Sequence, residues 1–314
     1  MASAKPQELV FKRVDGLDIV MDVYVPESAT PESPAPVVLW WHGGGLLQDV
    51  QGTRKAASPH QLRSPSSHNL CFISADYRLA PQTKFPAILS DCKVAIDFLF
   101  TPEFASATGN RVDPNKLVLS GSSAGGWLSL LCGTGIGFKA SGLDPPEKGR
   151  VKGIAALYPI TDLLDPFWTT KQYPVSYFKR VIDKEELGAF LDHKGEKVAS
   201  SALDSPRNVF YSYMIQEGIL ADLLLAGESI EPSAYSIALG LKSGEFTLPP
   251  TYIVHGDIDD KVPVQEARDV VAAAGPDARV HYDELEAVDH LFDREPSCNL
   301  EDMYNFMHRV FGSL

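Results

Sequence analysis

The sequence predicts an α/β fold, in which helices cover both faces of a doubly wound, mostly parallel sheet. Short, continuous apolar segments recur along its 314 residues, and helical patterns separate them. Continuous apolar strands are typical of parallel sheets that are buried on both faces. One of these strands runs directly into a helix through a glycine-rich turn, which is how such a sheet presents a reactive side chain.

An N-terminal β-hairpin precedes this repeating pattern. Glu8–Val14 and the alternating segment Asp18–Val25 flank the turn-forming pair Asp15-Gly16. A loop rich in Pro, Ser and Glu follows, and the first buried strand is predicted at Val37–Trp41. Further strands are expected at Cys71–Ala75, Leu117–Leu119, Ile154–Tyr158, Tyr252–Val254 and Val280–Leu285.

Helices are predicted between these strands and in one long insertion. The helical patterns cover Ile88–Leu99, Ala124–Leu131, Val264–Ala274 and Leu300–Phe311. Residues 163–246 break the strand–helix alternation, because they contain helical patterns and many aromatic residues but no good buried strand. Ser205-Pro206 is a typical start of a helix that runs through Met214. We expect a lid over a site or a packed helical layer here.

Charge and composition exclude several classes of partner. Lys and Arg number 28 against 41 Asp and Glu, which gives a net charge of −13. Nucleic acid and anionic membrane surfaces would be repelled. The N-terminus lacks a signal-peptide pattern and no apolar segment is long enough for a membrane span, so we expect a cytoplasmic protein. The four cysteines have no metal-binding spacing and are interpreted as buried thiols: Cys71, Cys92, Cys132 and Cys298.

The glycine-rich turn centres on Ser123 within Gly121-Ser122-Ser123-Ala124-Gly125. A strand that becomes a helix within a few residues holds its central residue in a strained conformation, with glycines beside it because a Cβ would clash. The serine would also lie at a helix N-terminus, which favours negative charge developing on a substrate. This pattern predicts a nucleophile for acyl transfer.

Three successive glycines in His42-Gly43-Gly44-Gly45 directly follow the strand ending at Trp41. Backbone N–H groups there can approach a ligand closely. We expect Gly43 and Gly44, together with Ala124 after the serine, to form an oxyanion hole. His42 would position this loop rather than act as the base.

A serine nucleophile requires a base and an acid that orients it. Of eight histidines, His42, His255 and His290 follow strands, where ligands bind in such sheets. His290 comes last in the order Ser, Asp, His and is the predicted base. Asp257, Asp259 and Asp260 all follow His255, and their spacing alone does not choose the acid.

Three motifs together resemble the hormone-sensitive-lipase-like branch of the α/β-hydrolase fold: His42–Gly45, Asp76-Tyr77-Arg78-Leu79-Ala80-Pro81 and Gly121–Gly126. The resemblance places the acid on Asp259 and the base on His290. It implies a catalytic domain of residues 1–162 and 247–314, a helical cap of residues 163–246, and cleavage of small esters without a cofactor or metal. The chain departs from this family at two places. Bacterial relatives often have Asp where this chain has Ser122, and many begin with cap helices where this chain has a β-hairpin.

Several functions stay open at this level. A lactonase, deacetylase, amidase or tailoring hydrolase of secondary metabolism would use the same residues. Plant gibberellin receptors are similar to this family and only bind their hormone, but they lack the catalytic histidine, whereas His290 is present here. The aromatic insertion favours an apolar substrate. A homodimer stays open.

Overall fold

A computed structural model describes residues 5–48, 54–201 and 205–312, and confirms a mostly parallel eight-stranded sheet. The strands are β1 Gln7–Val14, β2 Leu17–Tyr24, β3 Ala35–Trp41, β4 Cys71–Ala75, β5 Val112–Ser122, β6 Val151–Leu157, β7 Thr251–Gly256 and β8 Val280–Leu285. Their order across the sheet is β1-β2-β4-β3-β5-β6-β7-β8. Only the pairings of β1 with β2 and of β2 with β4 are antiparallel. The predicted fold class is therefore confirmed.

The predicted N-terminal hairpin is β1 and β2. Asp15 and Gly16 both have positive φ angles, 55° and 76°, and a two-residue turn of this kind matches the twist of the strands it joins. β2 then pairs with β4, so the hairpin extends the sheet at its edge.

Helices cover the sheet on both faces. Those outside the insertion are α1 Pro59–His68, α2 Phe85–Phe98, α3 Pro102–Ala107, α4 Ala124–Thr134, α10 Val264–Ala274 and α11 Glu301–Gly312. One apolar cluster includes α2 and α4 on one side of the sheet, and a second includes α11 on the other. Sequence reasoning missed α1, because its Pro, His and Ser residues give no apolar period.

Between β6 and β7 the described residues contain helices and no strand, as expected. These helices are α5 Pro166–Thr169, α6 Lys184–Leu187, α7 Phe210–Glu217, α8 Leu220–Leu225 and α9 Ile237–Lys242. Ser205 caps a 3₁₀ turn over Pro206–Val209, and α7 follows it, so the predicted helix begins as a tighter turn. The division of the chain into a catalytic domain and a cap of residues 163–246 stays a prediction. Residues 1–4 of the predicted catalytic domain lie outside the described residues.

Two expectations need correction. The strand predicted through Tyr158 ends at Leu157, because Tyr158 has a φ of 37° that no strand residue adopts. Cys71, Cys92 and Cys132 are buried as predicted, but Cys298 is only partly buried, since it lies in the irregular segment before α11. Among the helices described, none combines the length and apolar character needed to cross a bilayer.

Candidate active site

Ser123 lies between β5 and α4 in a strained backbone conformation. Its φ is 56° and its ψ is −120°, a combination that is rare outside glycine. The turn is closely packed: a Cβ at Gly125 would lie 2.0 Å from the carbonyl oxygen of Trp41, and one at Gly121 would lie 2.1 Å from Gly125. Glycine is therefore required at both positions, as the sequence predicted.

Asp259 and His290 form a close pair at the carboxyl ends of neighbouring strands. Asp259 follows β7 and His290 follows β8. His290 Nδ1 and Asp259 Oδ2 lie 2.6 Å apart, a distance typical of a charge-assisted hydrogen bond. The backbone N–H groups of Lys261 and Val262 each donate to Asp259 Oδ1 at 2.9 Å. Both carboxylate oxygens are thus held, and the geometry fixes the imidazole with its Nδ1 toward the acid.

His255 is a second donor to the same carboxylate. It is fully buried, and its Nε2 lies 3.2 Å from Asp259 Oδ2 and 3.0 Å from the carbonyl oxygen of Val262. Both neighbours are acceptors, so Nε2 carries the proton. Burial alone would raise the pKa of Asp259, but the hydrogen bonds from His255 and His290 outweigh it and hold that pKa below its usual range. Asp259 is therefore ionised at neutral pH.

The other two carboxylates in this loop have different partners. Asp257 Oδ1 accepts the N–H of Ala287 at 2.7 Å, which closes the loop after β8. Asp260 Oδ1 lies 2.5 Å from Lys261 Nζ. Of these three carboxylates, Asp259 is the one that contacts His290 in the described residues.

Ser123 and His290 both contact the segment at the end of β6, Leu157-Tyr158. The N–H of Ser123 donates to the carbonyl oxygen of Leu157 at 2.9 Å, and the rings of Tyr158 and His290 have centroids 4.3 Å apart. Within the described residues, His290 forms hydrogen bonds to Asp259 and Asp289, and none to Ser123 Oγ. Such bonds commonly form only when substrate is bound.

The predicted oxyanion loop lies directly against the serine. A Cβ at Gly43 would be 3.0 Å from Ser123 Cβ, and Gly44 and Gly45 have φ angles of 92° and 66°. Outside the regular helices and strands of the described residues, the N–H groups of Gly43 and Gly44 donate no backbone hydrogen bond. The oxyanion hole at Gly43, Gly44 and Ala124 stays a prediction.

Tyr77 holds this loop from behind. Its hydroxyl donates to the carbonyl oxygen of His42 at 2.9 Å, and lies 3.2 Å from that of Gly43. Its ring stacks on His42 at a centroid distance of 4.3 Å. His42 is fully buried in this stack, which agrees with a role in positioning the loop rather than in proton transfer.

The insertion contacts both the oxyanion loop and the acid loop. The Tyr211 N–H donates to Gln48 Oε1 at 3.0 Å, and its hydroxyl donates to the carbonyl oxygen of Lys261 at 2.7 Å. A Cβ at Gly45 would lie 2.7 Å from the Tyr211 ring. Trp168 and Phe210, in contrast, are fully buried. The aromatic residues of the insertion thus divide between the site and the core.

Sequence reasoning missed three residues that support the site, Tyr77, Tyr158 and Lys261, and it placed His255 at the right edge of the sheet without its contact to Asp259. Tyr77 lies inside a quoted motif, and a closer reading of that motif could have found it. Lys261 Nζ lies 2.6 Å from Asp289 Oδ2, so it joins the acid loop to the loop carrying His290. No sequence pattern signals this contact, because the two residues meet only in the fold.

A cavity of about 1010 Å³ lies elsewhere, at the amino ends of β6, β7 and β8. Gly135, Pro249, Val280 and Arg309 are among its lining residues, and none of the predicted site residues lines it. The sheet separates this cavity from Ser123, so it takes no part in the chemistry of the site.

Solved structures share this fold over nearly the full chain. Esterase 2 of Thermogutta terrifontis, phosphonylated by sarin, is 20% identical to this chain, with a TM-score of 0.63. The match covers 100% of this chain and 96% of the esterase chain. An α/β-hydrolase superfamily protein from Enterococcus faecalis is 21% identical with a TM-score of 0.69, covering 99% of this chain and 100% of its own. The α/β-hydrolase fold is thereby confirmed.

Curated relatives include segments of much longer fungal proteins. A non-reducing polyketide synthase of Acremonium egyptiacum is 27% identical over 289 residues, which are 85% of this chain but 13% of the synthase. Methylphloroacetophenone synthase of Cladonia uncialis is 34% identical over 183 residues, which are 56% of this chain and 7% of the synthase. The BD-FAE family model matches residues 21–202, more than half of the chain. The chain therefore belongs to the BD-FAE family and has the α/β-hydrolase fold.

Proposed function

We propose that the protein is a serine hydrolase that cleaves carboxylic esters of small, apolar substrates through an acyl-enzyme. Ser123 is the nucleophile, His290 the general base and Asp259 the acid that orients it. Gly43, Gly44 and Ala124 supply the oxyanion hole. The observation that carries this proposal is the 2.6 Å Asp259–His290 pair, together with the strained backbone of Ser123 between β5 and α4.

The first step forms the acyl-enzyme. His290 Nε2 removes the hydroxyl proton as Ser123 Oγ attacks the ester carbonyl, and Asp259 stabilises the resulting imidazolium. The three backbone N–H groups stabilise the negative oxygen of the tetrahedral intermediate, and each such donor is worth about 3 kcal/mol. His290 then returns the proton to the departing alcohol.

The second step restores the enzyme. His290 takes a proton from water, which attacks the acyl carbonyl, and Ser123 leaves with that proton. Every proton transfer uses a group of this chain, so we expect no cofactor requirement.

Two comparisons support ester cleavage. Esterases are among the proteins of the same fold, and one of them is phosphonylated by sarin. Phosphonylation of a hydrolase occurs at an activated nucleophile, which is the role that we give to Ser123.

A polyketide acyl group is the second candidate substrate class. The similarity to polyketide synthases favours it, since it covers 85% of this chain in one synthase. The aromatic side chains of the insertion, such as Tyr211 beside Gly45, suit an aryl or polyketide acyl group as well as a simple apolar ester. A tailoring hydrolase of secondary metabolism would act on such a group.

A substrate panel tests both candidates. We expect wild-type protein to hydrolyse p-nitrophenyl acetate or butyrate with a burst of one equivalent of p-nitrophenol, and Ser123→Ala to lose both phases. Aryl thioesters of N-acetylcysteamine, run beside alkyl thioesters of equal reactivity, separate the substrate classes. Equal turnover by wild-type and Ser123→Ala protein would contradict the proposal, and binding of ligands without a burst would favour a receptor.

A further inference from the structure

Tyr158 has an unusual backbone conformation for a large residue. Its φ is 37°, in the left-handed region that bulky residues avoid. It is 1% exposed and directly follows β6, where its N–H donates to the carbonyl oxygen of Val254 at 2.7 Å. A residue held in this conformation needs compensating contacts, and its side chain supplies them.

The Tyr158 hydroxyl is bonded to a buried carboxylate on the loop that carries His290. It donates to Asp293 Oδ1, and Ser58 Oγ donates to Asp293 Oδ2 at 2.6 Å. Asp293 is 1% exposed and lies three residues after His290. Burial and the Asp293 charge raise the pKa of Tyr158 well above its usual value, so the phenol keeps its proton.

The Tyr158 ring contacts the predicted base itself. The centroids of Tyr158 and His290 are 4.3 Å apart, and their planes are inclined at 56°. A cation within about 6 Å of an aromatic ring is attracted by the electrons of its face. His290 becomes a cation during each proton transfer, so this contact can stabilise the charged form as well as limit rotation of the imidazole.

We propose that Tyr158 is a positioning residue for His290: its bond to Asp293 fixes the base loop, and its ring restrains the imidazole and stabilises the imidazolium. This inference deepens the proposed function and rests on it.

Other charged groups also act on His290. Asp259 lies at its Nδ1, and His255 donates to that carboxylate. Asp289 accepts the N–H of His290 and pairs with Lys261. Substitutions at Tyr158 leave all of these side chains unchanged, so they remove only the contacts that Tyr158 itself makes.

The hydroxyl is tested with Tyr158→Phe, and the chain offers a matched control. Tyr252 is also buried, donates its hydroxyl to Asp283 and stacks on His281 with a centroid distance of 5.2 Å, away from the site. We expect Tyr158→Phe to lower kcat about tenfold with KM unchanged, and Tyr252→Phe to leave kcat within about twofold, for comparable loss of stability. Wild-type kcat in Tyr158→Phe would overturn the positioning role.

The ring is tested with Tyr158→Leu, which removes the π face. The acid limb of the pH profile of kcat/KM should lie about half a pH unit lower in Tyr158→Leu than in wild-type protein. The reason is that loss of the ring makes the imidazolium of His290 less stable relative to the neutral imidazole. Tyr158→Phe keeps an aromatic ring, so the acid limb of its pH profile should lie at the wild-type position. An unshifted limb in a folded Tyr158→Leu protein would overturn the role of the ring.

A readout independent of turnover separates this inference from the proposed function. The ¹³C-detected titration of His290, assigned by its loss in His290→Gln, should show the same downward shift in Tyr158→Leu and none in Tyr252→Leu. If wild-type protein hydrolyses no ester but the shift is present, the proposed function fails and the contact stands. If wild-type protein cleaves esters and no shift is seen in Tyr158→Leu, the proposed function stands and the role of the Tyr158 ring is overturned.

Discussion

The described residues contain two groups of Ser, His and Asp with buried side chains, and we propose that only one of them is an active site. The first is Ser123, His290 and Asp259, and the second is Ser58, His60 and Asp293. Ser123 and Ser58 are both 3% exposed, and the side chains of His290 and Asp259 are 6% and 0% exposed, against 1% for each of those of His60 and Asp293. Residue types and burial therefore do not distinguish the two groups.

The connections do distinguish them. In the first group the aspartate holds the histidine, with Asp259 Oδ2 2.6 Å from His290 Nδ1. In the second the aspartate holds the serine, since Ser58 Oγ donates to Asp293 Oδ2 at 2.6 Å while His60 Nε2 stays 3.7 Å away. A serine that donates to a carboxylate cannot donate to an imidazole. The second group is thus structural.

The backbones differ as well. Ser58 has φ −71° and ψ 157°, an ordinary extended conformation, whereas Ser123 has the strained angles 56° and −120°. His60 Nδ1 is also bonded to Tyr304, at 2.8 Å. Of these two groups, only the first combines a strained serine with a histidine held by the aspartate, which is why we propose that the first group is catalytic.

Replacing each serine gives the largest expected difference. Ser123→Ala should lower kcat by about 10⁶-fold, because the nucleophile is lost. Ser58→Ala should keep kcat within about threefold while it lowers the free energy of unfolding by about 1–3 kcal/mol, since Asp293 loses a buried donor. Initial rates on p-nitrophenyl butyrate and urea unfolding measure the two quantities. A large kcat loss in folded Ser58→Ala protein would break the comparison.

Replacing each aspartate should give the next largest difference. Asp259→Asn should lower kcat by about 10⁴-fold, because the amide no longer fixes the imidazole tautomer or stabilises its charge. Asp293→Asn leaves Asp259 and His290 in contact, so its kcat should fall far less and its melting temperature more. Equal kcat losses in the two variants, with both proteins folded, would show that the second group takes part in catalysis directly.

The acid side of the stability profile gives the smallest expected effect. Burial alone would raise the pKa of Asp293, but neighbouring His60, Ser58 and Tyr158 hold it below its usual value. The ionised Asp293 therefore contributes its full stabilisation to the folded protein above about pH 4, which is the pKa of an aspartate in the unfolded chain. That stabilisation is lost as the pH falls through the lower pKa of Asp293 in the folded protein. The melting-temperature gap between wild-type and Asp293→Asn protein should narrow below pH 4. A gap that is constant from pH 7 to pH 3 would contradict this assignment.

Much of the fold follows from local sequence, whereas the supporting contacts of the site do not. The buried strands, the hairpin and the turn at Ser123 were predictable, because apolar periodicity and glycine positions are local signals. The pairing of Lys261 with Asp289 and of Tyr158 with Asp293 was not, since these residues are distant in sequence. The choice of Asp259 over Asp257 needed either a family resemblance or coordinates, because both lie on the same short loop.

Covalent trapping tests the central claim most directly. The protein is treated with a fluorophosphonate, digested and mapped by mass spectrometry, with His290→Gln treated in parallel. We predict one equivalent of adduct on the peptide that contains Ser123, none on the peptide that contains Ser58, and greatly slowed labelling in His290→Gln. Absence of an adduct at Ser123 in folded wild-type protein, or labelling at Ser58 instead, would contradict the account.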